Sequence, residues 1–408
     1  MIFTNASSSR PGARREVNQD VVLIDEKLGV YILCDGMGGT AGGGIAATRA
    51  SQECLRYLQA NSSELSDISS SRDHHPSDRL SELAQAAIQA ANHAVHSHNQ
   101  EHAELCGSGT TIALLITAGT HGVCAHVGDS RIYVNRNQSF LQLTKDHSLA
   151  QDLIDRGLLD PNNLDNFAFK HVLSRAVGLL PAVSADTLHF EILPGDLFLI
   201  ASTDLNLNVL AENSQRSNHR RAQLFLEAVI SSALASHGDD DLSAIVVEAA
   251  SDDRERDIHQ ARSEELELKT SVLSEVFLFN SLDPQNILRI VNAATLITCH
   301  PGAAIVTQGD PEMSLYIILE GNFDVEISDQ KIAQLHRGNH FGEMALLTSH
   351  PRSATVRAAT SGKVLRLAAK EFQRLVQAHP QDGVKMITAL AKELSDRLRQ
   401  TNQFLAER

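Results

Sequence analysis

Five aspartates stand at the ends of short apolar runs: Asp20, Asp35, Asp129, Asp204 and Asp240. Apolar runs of this length read as buried strands. Carboxylates brought to one rim of packed sheets repel one another unless cations sit between them. The pattern predicts a two-metal centre with oxygen ligands, suited to activating water and clamping an in-line displacement. Asp35 is followed by Gly36-Met37-Gly38-Gly39 and then Gly42-Gly43-Gly44. Glycines there let the backbone turn sharply and come close to an ion or a phosphate. Alone, that stretch reads as an ordinary glycine-rich turn; the repetition of strand-end aspartates gives it chemical weight. Arg15, just before Asn18-Gln19-Asp20, adds a cation to the same group.

A second set of chemically capable residues lies far along the chain. Gly342 and Ala345 flank Glu343 and Met344, and Arg352-Ser353 follows. The small residues let backbone N–H groups approach a ligand, and a short helical turn would turn its positive end to an anion. Arg352 offers a guanidinium fork for phosphate, and Glu343 can accept from sugar hydroxyls. Together they point to a phosphate-and-sugar ligand.

The elements that position the first set alternate in kind. Strands are predicted at Val21 to Ile24, Val30 to Leu33, Ile112 to Thr117, Val123 to Val127, Ile132 to Val134, Leu197 to Ala201 and Ala244 to Val247. Helices are predicted at Ile45 to Leu58, Leu80 to Val95, Leu149 to Arg156 and Arg220 to Ser236. The Ser-, Asp- and His-rich stretch from Asn61 to Ser77 reads as a loop. His93, His96, His98 and His102 are assigned to a solvated helix face rather than a zinc site, because a closed zinc site needs convergent ligands. Val272 to Ala293 carries helical apolar spacing. Beyond it, short strands alternate with glycine turns at Gly302, Gly309, Gly321 and Gly338, the pattern of a small β-roll. A last amphipathic helix runs from Val384 to Leu398 and could form a homodimer seam.

With 408 residues, two domains are expected. The net charge of -15 argues against a nucleic-acid partner. Five scattered cysteines without metal-type spacing suggest a reducing, cytoplasmic compartment. No apolar stretch is long enough to span a membrane, and Met1 to Arg15 lacks the apolar core of a signal peptide.

Residues 1–250 resemble the metal-dependent Ser/Thr protein phosphatases of type 2C in their bacterial form. The resemblance rests on Arg15 with Asn18-Gln19-Asp20, on Asp35-Gly36-Met37-Gly38-Gly39, on Gly128-Asp129-Ser130-Arg131 and on Asp240-Asp241-Leu242-Ser243, in motif order. It implies an α+β fold, a four-layer α/β-sandwich. It further implies that Arg15 holds substrate phosphate and that Asp35 bridges two Mg²⁺ or Mn²⁺ ions. Asp20, the Gly36 carbonyl and Asp240 would complete the ligands, joined by Asp204 only if a local shift lets it reach in, and Asp129 would serve a third, weaker metal. The implied reaction is hydrolysis of phosphoprotein monoesters by a metal-activated water, without a phosphoenzyme. One departure matters. The family reads Ser-Asp-Gly-Leu where this chain reads Ser202-Thr203-Asp204-Leu205, so that Thr203 replaces a metal-binding aspartate. A neutral hydroxyl is a poorer ligand for a hard dication. This leaves open an impaired or regulated enzyme, or an inactive phosphatase fold serving as a cyclic-nucleotide-sensing scaffold.

Residues 273–408, after a charged linker at 251–272, resemble cyclic nucleotide-binding domains of the catabolite activator and protein kinase A regulatory type. Gln308-Gly309-Asp310, Gly321, Gly338, Phe341-Gly342-Glu343 and Arg352-Ser353-Ala354-Thr355 carry that resemblance. It implies a β-roll with flanking helices, Glu343 on the ribose 2′-OH, and Arg352 and Ser353 on the cyclic phosphate. Gly342, Met344 and Ala345 would line the pocket. Serine after the arginine favours cAMP, with cGMP the alternative. Because the chain ends soon after the last helix, no helix-turn-helix is expected.

Overall fold

The computed structural model describes residues 1–12, 15–70, 77–136, 139–202, 221–236, 240–250, 256–280, 282–347, 350–378 and 380–406. The chain divides into two compact units, Met1–His259 and Gln260–Arg408.

The first unit holds two antiparallel sheets. One is ordered β1-β11-β10-β7-β8, from strands Ile2–Arg10 (β1), Leu242–Ala250 (β11), Leu197–Ala201 (β10), Arg131–Arg136 (β7) and Ser139–Gln142 (β8). The other is ordered β2-β3-β5-β6-β9, from Asp20–Asp25 (β2), Val30–Met37 (β3), Ile112–Ala118 (β5), His121–Val127 (β6) and Asp186–Glu191 (β9), with Gly109–Thr110 (β4) beside β3. Both faces of the second sheet are apolar, and for that reason its strands read as unbroken hydrophobic runs. Val30, Ile32 and Cys34 of β3 and Ile112, Leu114 and Ile116 of β5 pack against helices α1 (Gly39–Ala60) and α3 (Ser77–Glu101). Those helices present a stripe of mostly small residues, Ala46, Ala50, Cys54, Ala84, Ala87 and Ala91, which lets them lie close to the strands. The alternate residues Tyr31, Leu33, Ala113 and Leu115 are equally buried, and the two sheets pack against each other. On the β1 sheet, Leu197, Leu199, Ala244 and Val246 pack against Phe225, Leu226 and Val229 of α5 (Arg221–Ser236). The short helix α4 (Leu149–Asp155) is capped by Ser148, whose hydroxyl accepts from Gln151 N.

Two elements differ from the sequence reading. The expected loop after Asn61 contains a helix, α2 (Ser62–Ser70). Leu65 and Ile68, one turn apart, bury against the α1–α3 layer, and the surrounding serines hid that pair. The helical pattern from Val272 to Ala293 is broken into two helices, α6 (Arg256–Glu275) and α7 (Pro284–Ala293). Asp283-Pro284 restarts the helix, because proline lacks the N–H that a helix interior requires but a first turn does not.

The second unit has two four-stranded antiparallel sheets. The first joins β12 (Thr295–Cys299), β19 (Gly362–Ala368), β14 (Ser314–Glu320) and β17 (His340–Phe341) in that order. The second joins β13 (Ala304–Val306), β18 (Thr355–Ala358), β15 (Phe323–Ile327) and β16 (Gln330–Leu335). Their shared core contains Cys299, Val306, Tyr316, Ile318, Phe323, Phe341, Val356 and Val364. The remaining helices are α8 (Met344–Leu347), α9 (Ala369–Ala378) and α10 (Pro380–Ala406). Among the described residues, no helix is long and apolar enough to cross a membrane. All five cysteines are free.

Candidate functional site

The β2–β3 register sets Asp20 directly opposite Asp35. Directly opposed like charges on neighbouring strands destabilise a sheet. Burial, reinforced by the charge of Asp241, pushes the Asp20 carboxyl up to about 6. The Ser202 and Ser243 hydroxyls oppose that rise, but their protons are directed elsewhere: Ser202 Oγ donates to Ser243 O at 3.4 Å, and Ser243 Oγ donates to Ser9 Oγ at 2.7 Å. Both Asp20 oxygens are therefore buried without a hydrogen-bond partner. Burial, then the charges of Asp20, Asp129 and Asp240, hold the Asp35 carboxyl well above the usual range. The four strand-end aspartates among the described residues thus act on one place.

The backbone around them is tight. A Cβ at Gly36 would lie 2.3 Å from Gly43 O and 2.8 Å from Gln19 O. Gly38 opens α1 with φ of 116°, a conformation that favours glycine. Thr111 fixes the end of β3: its Oγ1 accepts from Asp35 N at 3.0 Å, and its N–H donates to Asp35 O at 2.9 Å.

Arg15 pairs with Asp240 at 2.6 Å, an exposed contact. Asp241, the next residue, is buried and accepts from Gly12 N at 3.0 Å and Gln19 N at 2.8 Å. It ties the Arg15 segment to the base of β2, a role the sequence reading did not single out. Asp204 and Thr203 lie outside the described residues.

A histidine pair holds the turn that carries Asp129. His147 Nδ1 accepts from Gly128 N at 3.1 Å, and His147 N donates to Gly128 O at 3.0 Å. Its Nε2 faces Asp186 Oδ2 at 3.3 Å, and Arg175 grips Asp186 at 2.6 Å. His126 stacks on His147 with centroids 4.4 Å apart, and its Nε2 donates to Lys145 O at 2.7 Å. Burial and the charge of His147 push His126 down to about 4. His126, His147 and Asp186 are far apart in sequence, and no spacing signal could have joined them. The β6–β9 register brings Asp186 opposite His126.

In the second unit, Arg352 is only 7% exposed. Its Nη2 donates to Ser314 O at 3.0 Å and its Nη1 to Gly342 O at 3.4 Å, while its Nε has no partner. No carboxylate among the described residues pairs with it. Its guanidinium carbon stands 5.6 Å from the Tyr316 ring centroid, and Tyr316 stacks on Phe341. A Cβ at Gly342, whose φ is 80°, would meet Arg352 Nη1 at 2.5 Å. Glu343 is buried, whereas Met344, next to it, and Ser353, next to Arg352, are exposed. Ala345 lies in α8. A buried cation paired only with carbonyls is what an anion site requires before its anion arrives.

Residues 12–173 match the family model described as protein phosphatase 2C, and residues 296–379 match the cyclic nucleotide-binding domain. A serine/threonine phosphatase, stp, of Listeria innocua is 29% identical over 240 residues, covering 57% of this chain and 89% of the relative. The serine/threonine protein phosphatase PstP of Mycobacterium tuberculosis is 30% identical over 206 residues, covering 50% of this chain and 37% of the relative. A crystal structure of the M. tuberculosis PstP/Ppp phosphatase aligns with a TM-score of 0.53 at 25% identity, over 62% of this chain and all of the other. A PstP catalytic domain in complex with two manganese ions aligns with a TM-score of 0.51 at 26% identity, over 61% of this chain and 99% of the other. The matches and the fold agree: the chain joins a protein phosphatase 2C domain to a C-terminal cyclic nucleotide-binding domain.

Proposed function

We propose that the chain is a metal-dependent protein serine/threonine phosphatase controlled by a cyclic nucleotide, cAMP by preference. The observation that carries this reading is the Asp20–Asp35 pair: opposed across two strands, raised by burial and, at Asp20, without a hydrogen-bond partner. Such a pair is costly until a dication neutralises it. Asp20, Asp35, the Gly36 carbonyl, Asp129 and Asp240 would hold Mg²⁺ or Mn²⁺, with Asp204 joining them on sequence grounds. Bound there, the ions would polarise a phosphoryl oxygen and lower the pKa of water. Asp35, acted on by the charges of the other three, suits the bridging place. Arg15 holds an exposed pair with Asp240, worth about 0–1 kcal/mol, so releasing it to grip a phosphoprotein's phosphate costs little. The manganese-bound PstP structure supports the choice of metal.

In the second domain, the Arg352 guanidinium would meet the cyclic phosphate, Glu343 the ribose hydroxyl, and Ser353 the phosphate edge. To regulate, the nucleotide must favour one arrangement of the protein over another. Coupling of this kind is on the order of 1–3 kcal/mol, about 5–150-fold. The free cysteines support a cytoplasmic setting, and α10 offers a seam for a homodimer.

Thr203 favours the second reading, an inactive phosphatase fold that binds partners in response to nucleotide. Turnover of p-nitrophenyl phosphate and a phosphoserine peptide with Mn²⁺, with and without cAMP, separates the two. Activity lost in Asp35→Asn supports the enzyme. No turnover at any Mn²⁺ concentration, restored by Thr203→Asp with Asp204→Gly, supports the scaffold.

A further inference from the structure

Helix α3 ends in His98 and Glu101, and His102 follows directly. The sequence reading placed both histidines on a solvated face, yet the structure makes them converge. One donor atom from each of His98, Glu101 and His102 lies within 4.8 Å of the other two. The two rings stand 4.3 Å apart, centroid to centroid. His98 and Glu101, three apart, share a helix face, and His102, in extended conformation just past the helix end, completes the group. A second feature supports the grouping. His102 Nδ1 faces Glu104 Oε1 at 3.4 Å. A carboxylate behind one ring nitrogen orients the ring and leaves the other nitrogen to bind.

The charges agree. Glu101 and Glu104 attract a cation to His98, opposed by Arg49. All three donor residues reach solvent, so an ion can enter without opening the core.

We propose that His98, Glu101 and His102 bind one borderline transition-metal dication of the Zn²⁺, Cu²⁺ or Ni²⁺ class, at a site separate from the aspartate centre. Two imidazoles and one carboxylate favour such ions strongly over Mg²⁺ and Mn²⁺, whereas the all-oxygen set at Asp20 and Asp35 also suits the harder Mg²⁺ and Mn²⁺. The remaining coordination positions belong to water. The site braces the turn Ala103–Leu105, which leads to Ser108; Asn99 Nδ2 holds Ser108 O at 2.7 Å, and Ser108 packs on Gly38 and Gly42.

The test uses the untagged full chain, stripped of metal and then saturated with Mg²⁺. One equivalent of Cu²⁺ should give an electron paramagnetic resonance spectrum with coupling to two imidazole nitrogens. Zn²⁺ calorimetry should show one site, weakened at least about tenfold by His98→Ala or His102→Ala and about tenfold by Glu104→Gln. It should be retained in Asp35→Asn and in His93→Ala. Circular dichroism melts check folding, and His98→Gln with His102→Gln replaces any alanine variant that fails to fold. An oxygen-only copper spectrum, or nitrogen coupling that persists when both histidines are replaced, overturns the assignment.

Discussion

Replacing Arg352 should weaken nucleotide binding by an amount that its surroundings set. Its guanidinium is buried and spends two N–H groups on carbonyls, one at 3.0 Å and one at a long 3.4 Å. The Nε–H is unspent. A hydrogen bond to a charged group contributes roughly 1.5–3 kcal/mol, so Arg352→Ala should lose about 10–150-fold in cAMP affinity. Arg352→Lys should fall between, since an ammonium keeps the charge but cannot span the Ser314 and Gly342 carbonyls and a phosphate together. Stability gives an independent readout. At a hundred times its Kd, cAMP should stabilise the wild type by about 2.7 kcal/mol; a variant bound 100-fold more weakly should gain only about 0.4 kcal/mol at the same concentration. Calorimetry and urea unfolding with and without cAMP measure both. Unchanged affinity in Arg352→Ala would refute the assignment of Arg352 to the cyclic phosphate.

Asp35→Asn should abolish Mn²⁺-dependent hydrolysis while leaving the circular dichroism spectrum intact; activity at the wild-type level removes Asp35 from the centre. His147→Ala should deprive Gly128 N–H of its acceptor and loosen the Asp129 turn, raising the Mn²⁺ concentration for half-maximal activity about tenfold. An unchanged metal requirement would show that the histidine does not position that turn. His126 is neutral when folded, with its pKa held at about 4, so as pH falls from 6.5 towards 4 the unfolded chain takes a proton that the folded one refuses. Stability should drop by about 3 kcal/mol across that window on this account. His126→Gln, whose amide can still donate to Lys145 O, should flatten the drop relative to wild type in urea titrations at pH 7 and 4.5; equal slopes count against the buried neutral histidine.

The gathering of Asp20, Asp35, Asp129 and Asp240 was legible because each sits at the end of an apolar run, and a strand end is local information. Asp20 facing Asp35 needed only the hairpin that their runs imply. The nucleotide cassette was legible for a similar reason, since Gly342, Glu343 and Arg352 fall within eleven residues. What stayed hidden depends on distant partners. Asp241 looked like one more acid until Gly12 and Gln19 were seen donating to it. The His126–His147–Asp186 group needs three separate segments. Helix α2 was concealed by its serines, which composition assigns to loops although Leu65 and Ile68 reach the core. Asp283-Pro284 was a stop and restart signal in plain view, outweighed by the apolar spacing on either side.

The pairing of β1 with β11 has a consequence for biosynthesis. Every residue from Ile2 to Arg10 pairs with one from Ala250 back to Leu242, and β11 lies between β1 and β10. The ribosome makes β1 about 230 residues before its partner, a wait of roughly 12–50 s at 5–20 residues per second. Through that interval β1 lacks its partner, and β10, made only about 40 residues before β11, adds a second bare edge near the end of it that other chains can join. Nor can Asp240 and Asp241 reach Arg15, Gly12 and Gln19 until the same late segment emerges. A nascent chain arrested before Leu242 should therefore depend on chaperones and lack the metal-dependent protection from proteolysis that the released protein acquires, while the nucleotide-binding unit, translated afterwards, begins folding only once the first sheet can close.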